Sequence, residues 1–152
     1  EQRTLTTTET MDDQTPVFEP ALFTITHKLS KHALTRRGYD VTVEPLHSSI
    51  NQQWKLSGGG YIQSGDNDHV YMSPTPDCTG AFGTTDPAAP WIITRLGDAT
   101  IEIRTPCGTY LSVDPLEKTL VTVSTSSDLT HWNMVYTRPT SSYAVEKSVK
   151  IF

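Results

Sequence analysis

The chain carries several residues that could do chemistry, and their spacing decides what that chemistry can be. Five histidines, His27, His32, His47, His69 and His131, lie far apart and without the spacing of a metal-ligand set. Asp66-Asn67-Asp68 opens like a calcium loop, but the remaining ligands and the closing glutamate do not follow. No Gly-x-Ser-x-Gly elbow and no His-Glu-x-x-His pair occurs. Ser57–Gly60 reads Ser-Gly-Gly-Gly, yet no Lys-Ser/Thr follows to make a phosphate loop, so a hairpin turn is expected. Cys78 and Cys107 each sit in a turn-like setting with no activating base nearby in sequence, and whether they pair stays open. The expectation is a protein without catalytic machinery, metal or cofactor. What remains is binding chemistry. Gln52 stands two places before Trp54, Trp91 follows Ala88-Ala89-Pro90, Phe82 lies in a glycine-rich stretch, and Arg36-Arg37-Gly38 forms a basic pair before a turn.

Composition narrows the partner. Of 152 residues, 36% are hydrophobic and 19% charged, against an ordinary charged share of about 25%. The formal net charge of −5 argues against nucleic acid, whose phosphates need a basic face, and against an anionic membrane surface. No run approaches the roughly 18 apolar residues of a membrane-spanning helix, so no membrane insertion is expected. No secretory signal is expected from the Thr-rich start, and Asn51, Asn67 and Asn133 all fail the glycosylation pattern. The expected location is cytoplasmic. A neutral ligand or a protein suits this balance best.

The tryptophans recur. Trp54, Trp91 and Trp132 stand 37 and 41 residues apart, and Ile25, Ile62 and Ile103 each precede one of them by 29 residues. Such periods mark repeated supersecondary units. Each isoleucine and each tryptophan lies in an alternating segment, the mark of a half-buried strand. The third unit predicts strands at Thr100–Arg104, Thr109–Val113, Leu120–Ser124 and His131–Tyr136, separated by turn formers. The first unit predicts strands in LFTITHK, HALTR, YDVTVEP and QQWKL. The second predicts GYIQS, HVYMS and WIITRL, with a poor third strand near Ala81–Thr84.

Three four-stranded units of about 40 residues cannot bury their apolar faces singly. Closing them on one another also removes exposed sheet edges. The expected fold is all-β, a β-trefoil with pseudo-three-fold symmetry, and the repeated Ile and Trp are read first as core. A β-sandwich is the competing architecture, but it does not demand three equal Ile-to-Trp spacings. The predicted organisation is an N-terminal extension 1–20, a trefoil domain 21–138 with repeats 21–57, 58–97 and 98–138, and a tail 139–152.

The stretch HALTRRGYDVTVEPLHSSINQQWKL carries a family resemblance. With the three tryptophans, the span from Leu22 to Thr137 resembles the ricin-B-type (Q-x-W) β-trefoil lectins. It is most similar to the small mushroom β-trefoil lectins, for which a defence role is implied. The resemblance implies glycan or glycoprotein partners and up to three sugar sites, one per unit. Each site of the ricin type wants an early Asp, an aromatic and the Gln of Q-x-W. Gln52 keeps that glutamine in the first unit, where Asp40 and Tyr39 come late; Ala89 and Thr130 replace it in the others. The mushroom lectins point instead to the middle unit, to a site reading fucosylated glycans. Carried onto this chain, that site comprises Ala88, Ala89, Pro90 and Trp91, with Thr84 and Tyr71 opposite. Phe82 is an added candidate for stacking on a sugar, and equally a core plug beneath its loop. Mushroom β-trefoils also include protease inhibitors. For these, Arg36 and Arg37 are the expected inhibitory loop, a basic pair offered to a trypsin-like pocket, or otherwise a solvated turn.

Overall fold

The computed structural model describes residues 22–138, apart from 48, 58, 67 and 88. The predicted N-terminal extension and C-terminal tail lie outside the described residues. Residues Leu22–Arg138 form one compact unit. Twelve strands carry it, four to each repeat. The first repeat holds β1 (Leu22–His27), β2 (His32–Arg37), β3 (Asp40–Pro45) and β4 (Trp54–Ser57). The second holds β5 (Tyr61–Ser64), β6 (Tyr71–Pro74), β7 (Ala81–Thr84) and β8 (Ile92–Arg95). The third holds β9 (Thr100–Arg104), β10 (Tyr110–Val113), β11 (Leu120–Val123) and β12 (Trp132–Arg138). The weak strand expected at Ala81–Thr84 forms as β7. Gln52 belongs to a 3-10 turn at Ile50–Gln52, not to the strand expected there, and the Ser49 hydroxyl caps that turn by accepting the Asn51 N–H at 3.1 Å.

The first and last strands of each repeat build a ring. β1 pairs with β12 and β4, β4 with β5, β8 with β9, and β9 with β12. Phe23 stands opposite Trp54, and Ile101 opposite Trp132. The residue at the same remove from Trp91 is Gly60, and here the ring is closed by one bond, from the Trp91 N–H to the Gly60 carbonyl at 2.9 Å. A Cβ on Gly60 would lie 2.1 Å from the Trp91 carbonyl oxygen, and its φ is +93°. Only glycine allows this approach. Gly60 thus closes the second repeat's first stretch on its last, as the Phe23–Trp54 and Ile101–Trp132 pairs do within the other repeats.

The middle strands of each repeat form a hairpin, and the three hairpins share one register. Leu34 faces Val43, Met72 faces Gly83, and Leu111 faces Thr122. Each tryptophan then donates its indole N–H to a carbonyl on its own hairpin: Trp54 to Leu34 at 3.0 Å, Trp91 to Met72 at 2.7 Å, and Trp132 to Leu111 at 3.0 Å. Burying an indole is favourable on the order of 3 kcal/mol when its N–H is satisfied. Ile25, Ile62 and Ile103 join the tryptophans in one core cluster, with Leu34, Met72 and Leu111. Repeated Ile and Trp are therefore core residues.

Cys78 and Cys107 are bonded, with Cα atoms 6.1 Å apart. This settles the pairing that the sequence left open. The bond ties the β6–β7 turn of the second repeat to the β9–β10 turn of the third. The Cys78 carbonyl also accepts the hydroxyls of Thr109 at 3.1 Å and Thr122 at 3.0 Å, so covalent and polar links hold the same two repeats together.

Candidate functional site

The hairpin of the second repeat places three of the sequence-predicted residues, Tyr71, Phe82 and Thr84, on one surface. Met72 is buried and Gly83 lies opposite it, so these two face inward. Residues directly opposite in an antiparallel pair share a face, and the face alternates along the strand. Tyr71 opposite Thr84, and Phe82 opposite Ser73, are therefore on the other side of the hairpin, where Phe82, Tyr71 and Thr84 reach the surface and Ser73 stays buried. Phe82 is 38% exposed. Its glycine neighbour explains this position. A Cβ on Gly83 would lie 3.0 Å from Val70 and 3.1 Å from the Tyr39 backbone, and the Gly83 N–H bonds the Tyr39 carbonyl at 2.8 Å. The β2–β3 turn thus packs on Gly83, and Asp40 comes opposite Phe82. Tyr61 meets Tyr71 edge to face, with ring centroids 6.3 Å apart. The face offers an exposed aromatic ring, an exposed carboxylate beside it, and a tyrosine and a threonine hydroxyl one step along.

Beneath this face lies an orphaned polar atom. Ser73 is 1% exposed, and its hydroxyl has no hydrogen-bond partner among the described residues. The equivalent side chains of the other repeats are satisfied. Thr35 accepts the Gln52 amide N–H at 3.0 Å and donates to the Ala33 carbonyl at 2.9 Å, and Ser112 donates to the Leu129 carbonyl at 2.6 Å. Ala89 stands where Gln52 stands in the first repeat, and has nothing to give Ser73.

The loop before the middle tryptophan is reached differently from the expectation. Trp91 is buried, its N–H engaged by Met72, so its ring belongs to the core rather than to a surface. Ala89 and Pro90 are half-buried. Pro90 packs where the Gly60 backbone passes. Ala88 lies outside the described residues.

Gln52, the first-repeat candidate, is 0% exposed. Its amide donates to Thr35 and to the Pro45 carbonyl, both at 3.0 Å, and its oxygen accepts the His47 N–H at 2.7 Å. It knits the 3-10 turn to the hairpin and has no surface to offer a ligand. In the third repeat Thr130 does related work, donating to the buried Glu102 carboxylate at 2.6 Å and accepting the Ser127 N–H at 3.1 Å.

The arginine pair departs from its expected place. Both residues lie at the end of β2 rather than in a loop. Arg36 is buried, because its guanidinium donates to Asp66 at 2.5 Å, to Asp68 at 2.7 Å and to the Gly38 carbonyl at 2.8 Å. Burial pushes the Asp66 carboxyl up, but the Asp68 N–H, the Arg36 guanidinium and the Ser64 hydroxyl outweigh it and hold it below the usual range. Arg37 is gripped by Glu44 at 2.6 and 3.0 Å, and that bond, against a small cost of burial, brings the Glu44 carboxyl down to about 2. The turn itself presents Gly38 and the exposed Tyr39. The aspartates that looked like the start of a calcium loop are the anchor for Arg36. No group of three or more His, Cys, Asp or Glu among the described residues could hold a metal ion.

No protein-family model and no curated protein sequence matches the chain. Solved structures do. A Macrolepiota procera ricin B-like lectin in complex with lactose superposes with a TM-score of 0.63 over 80% of this chain and 99% of that one, at 20% identity. An earthworm R-type lectin C-half in complex with GalNAc gives 0.59, over 77% and 99%, at 16% identity. ThreeFoil, a designed three-fold symmetric protein, gives 0.57, over 75% and 97%, at 21% identity. The chain has the β-trefoil fold of the ricin B-like lectins. In the trefoil, Ile25, Ile62, Ile103 and the three tryptophans are threefold equivalents.

Two features of the trefoil's second repeat escape sequence reading. Asp40 comes late in the first repeat and reaches Phe82 only through the β3–β7 pairing. Ser73 is one serine among many until its threefold mates are known. The one available signal was Ala89 at the Gln52 position.

Proposed function

We propose that the protein is a non-catalytic carbohydrate-binding lectin that takes a neutral glycan, fucosylated ones included, on the outward face of β6–β7. The observation that carries this reading is the row of Tyr71, Phe82 and Thr84 on one face, with Asp40 across from Phe82. A sugar ring has an apolar C–H face that packs on an aromatic ring and hydroxyls that need acceptors and donors. Phe82 supplies the first, Asp40 the acceptor, and Tyr71 and Thr84 hydroxyls of both kinds. The lactose and GalNAc bound by the structural neighbours are consistent with this use of the fold.

The inhibitor reading has less to stand on, since Arg36 is held inward and Arg37 is paired with Glu44. The Cys78–Cys107 bond favours an oxidising compartment over the cytoplasm.

Calorimetric titration with a fucosylated chitobiose and with lactose tests the proposal. One of them binds the native chain, and Phe82→Ala weakens it at least tenfold, about 1.4 kcal/mol. Binding that Phe82→Ala and Asp40→Asn both leave unchanged would remove this face from the reading.

A further inference from the structure

A second concavity is built by elements other than β6 and β7. It holds about 250 Å³ and is lined by the β8–β9 turn and the middle of β12. Ile101 and Met134 line it, with Tyr136, 66% exposed, at its side. The cavity is built, because backbone bonds fix its walls: Met134 N–H to the Ala99 carbonyl at 2.7 Å, and Leu96 N–H to the Thr100 carbonyl at 2.8 Å. Tyr136 is itself steadied by an edge-to-face contact with Phe23, with centroids 5.9 Å apart.

Two charged side chains complete the lining. Arg95 donates one bond to the Asp98 carbonyl at 2.9 Å, which fixes its guanidinium beside the cavity, and it makes no ion pair among the described residues. Asp98 lines the same space, and its carboxylate makes no hydrogen bond or ion pair among the described residues. An anion entering here would meet Asp98, and a cation would meet Arg95. A neutral ligand that can both donate and accept satisfies the two at once. The volume falls below the roughly 300–1,000 Å³ of sites for drug-sized ligands, which limits the occupant to about one ring.

We propose that this cavity is a second saccharide subsite, holding a single neutral hexose with its C–H face on Tyr136 and its hydroxyls on Arg95 and Asp98. It rests on its own lining and not on the β6–β7 face. Occupied together, two sites on separate elements make one chain bivalent, and a bivalent chain cross-links glycoconjugates and gains avidity on a multivalent surface.

Two-dimensional amide NMR tests it, titrating the ¹⁵N-labelled chain with methyl galactoside, N-acetylgalactosamine, methyl fucoside and N-acetylglucosamine in turn, and with cyclohexanol and N-acetylneuraminic acid as controls. At least one neutral sugar should shift the amides of Arg95, Ala99 and Tyr136. Asp98→Asn, on an exposed turn, should weaken those shifts at least fivefold, as should Tyr136→Ala, while Phe82→Ala leaves them in place. Shifts confined to Tyr71, Phe82 and Thr84 would overturn the second subsite and leave the lectin reading standing. Shifts confined to the cavity would remove the β6–β7 face from the proposed function and uphold the second subsite. No shift there with any neutral sugar, a response to cyclohexanol or the acidic sugar alone, or cavity shifts that survive both Asp98→Asn and Tyr136→Ala, would also overturn it.

Discussion

Gln52 and Ala89 occupy the same place in successive repeats, and the difference between them decides how two hydroxyls are served. Thr35 receives a hydrogen bond from Gln52, whereas Ser73 has none. A buried hydroxyl without a partner costs about 1–3 kcal/mol, and a restored bond returns about 0.5–1.5 kcal/mol. Ala89→Gln should therefore raise the unfolding free energy from urea titration by an amount in that second range, and Gln52→Ala should lower it by an amount in the first. The gain from Ala89→Gln depends on Ser73 and Thr35 being equivalents, whereas the loss from Gln52→Ala rests on the bonds of Gln52 itself. His27 gives a pH-dependent counterpart. Burial pushes its pKa below 6.5, assisted by His32 and opposed by the bond from its Nε2–H to the Leu129 carbonyl at 2.7 Å. Its Nδ1 accepts the Ser30 N–H at 3.1 Å, so the folded chain holds it neutral. The unfolded chain then binds the extra proton first, and stability should fall as pH drops through 6.5. Denaturant midpoints measured at about pH 7.5 and about pH 5.5 check this, and His27→Gln should reduce the difference.

At the level of strands and turns, the alternating segments carried most of the fold. β9 spans Thr100–Arg104 and β7 spans Ala81–Thr84, as the sequence predicted, because apolar alternation and flanking turn formers are local signals. Long-range choices were not written locally. Arg36 reads as a solvated turn residue until Asp66 and Asp68, some thirty positions on, are brought to it. Gln52 reads as a binding residue until a 3-10 turn carries it inside. Gly60 reads only as part of a flexible turn, yet it fills the position of Phe23 and Ile101 in the ring. Gly60→Ala should cost about 2 kcal/mol or more, because a Cβ meets the Trp91 carbonyl in a left-handed backbone conformation. Gly59→Ala, whose Cβ meets only the Tyr61 ring at 3.8 Å, should cost about 1 kcal/mol. Thermal unfolding of the two variants compares the ring contact with the turn alone.

For the molecule as a whole, threefold repetition provides the core and departures from it provide the candidate sugar face. Removing the bond between the second and third repeats, by Cys78→Ser with Cys107→Ser, should cost about 2–4 kcal/mol in denaturant unfolding. The candidate sugar face arises where the second repeat breaks the pattern: Phe82 stands where the other hairpins have Thr42 and Val121, and Asp40 is brought across from it by the neighbouring repeat. None of this was readable from the Q-x-W pattern, which marks the core and its supporting turn. The most direct measurement is a glycan array probed with the native chain and with Phe82→Ala. The native chain should retain a defined set of neutral glycans and the variant should lose it while keeping the native thermal transition. An array without any retained glycan, or one that Phe82→Ala leaves unchanged, would contradict the account.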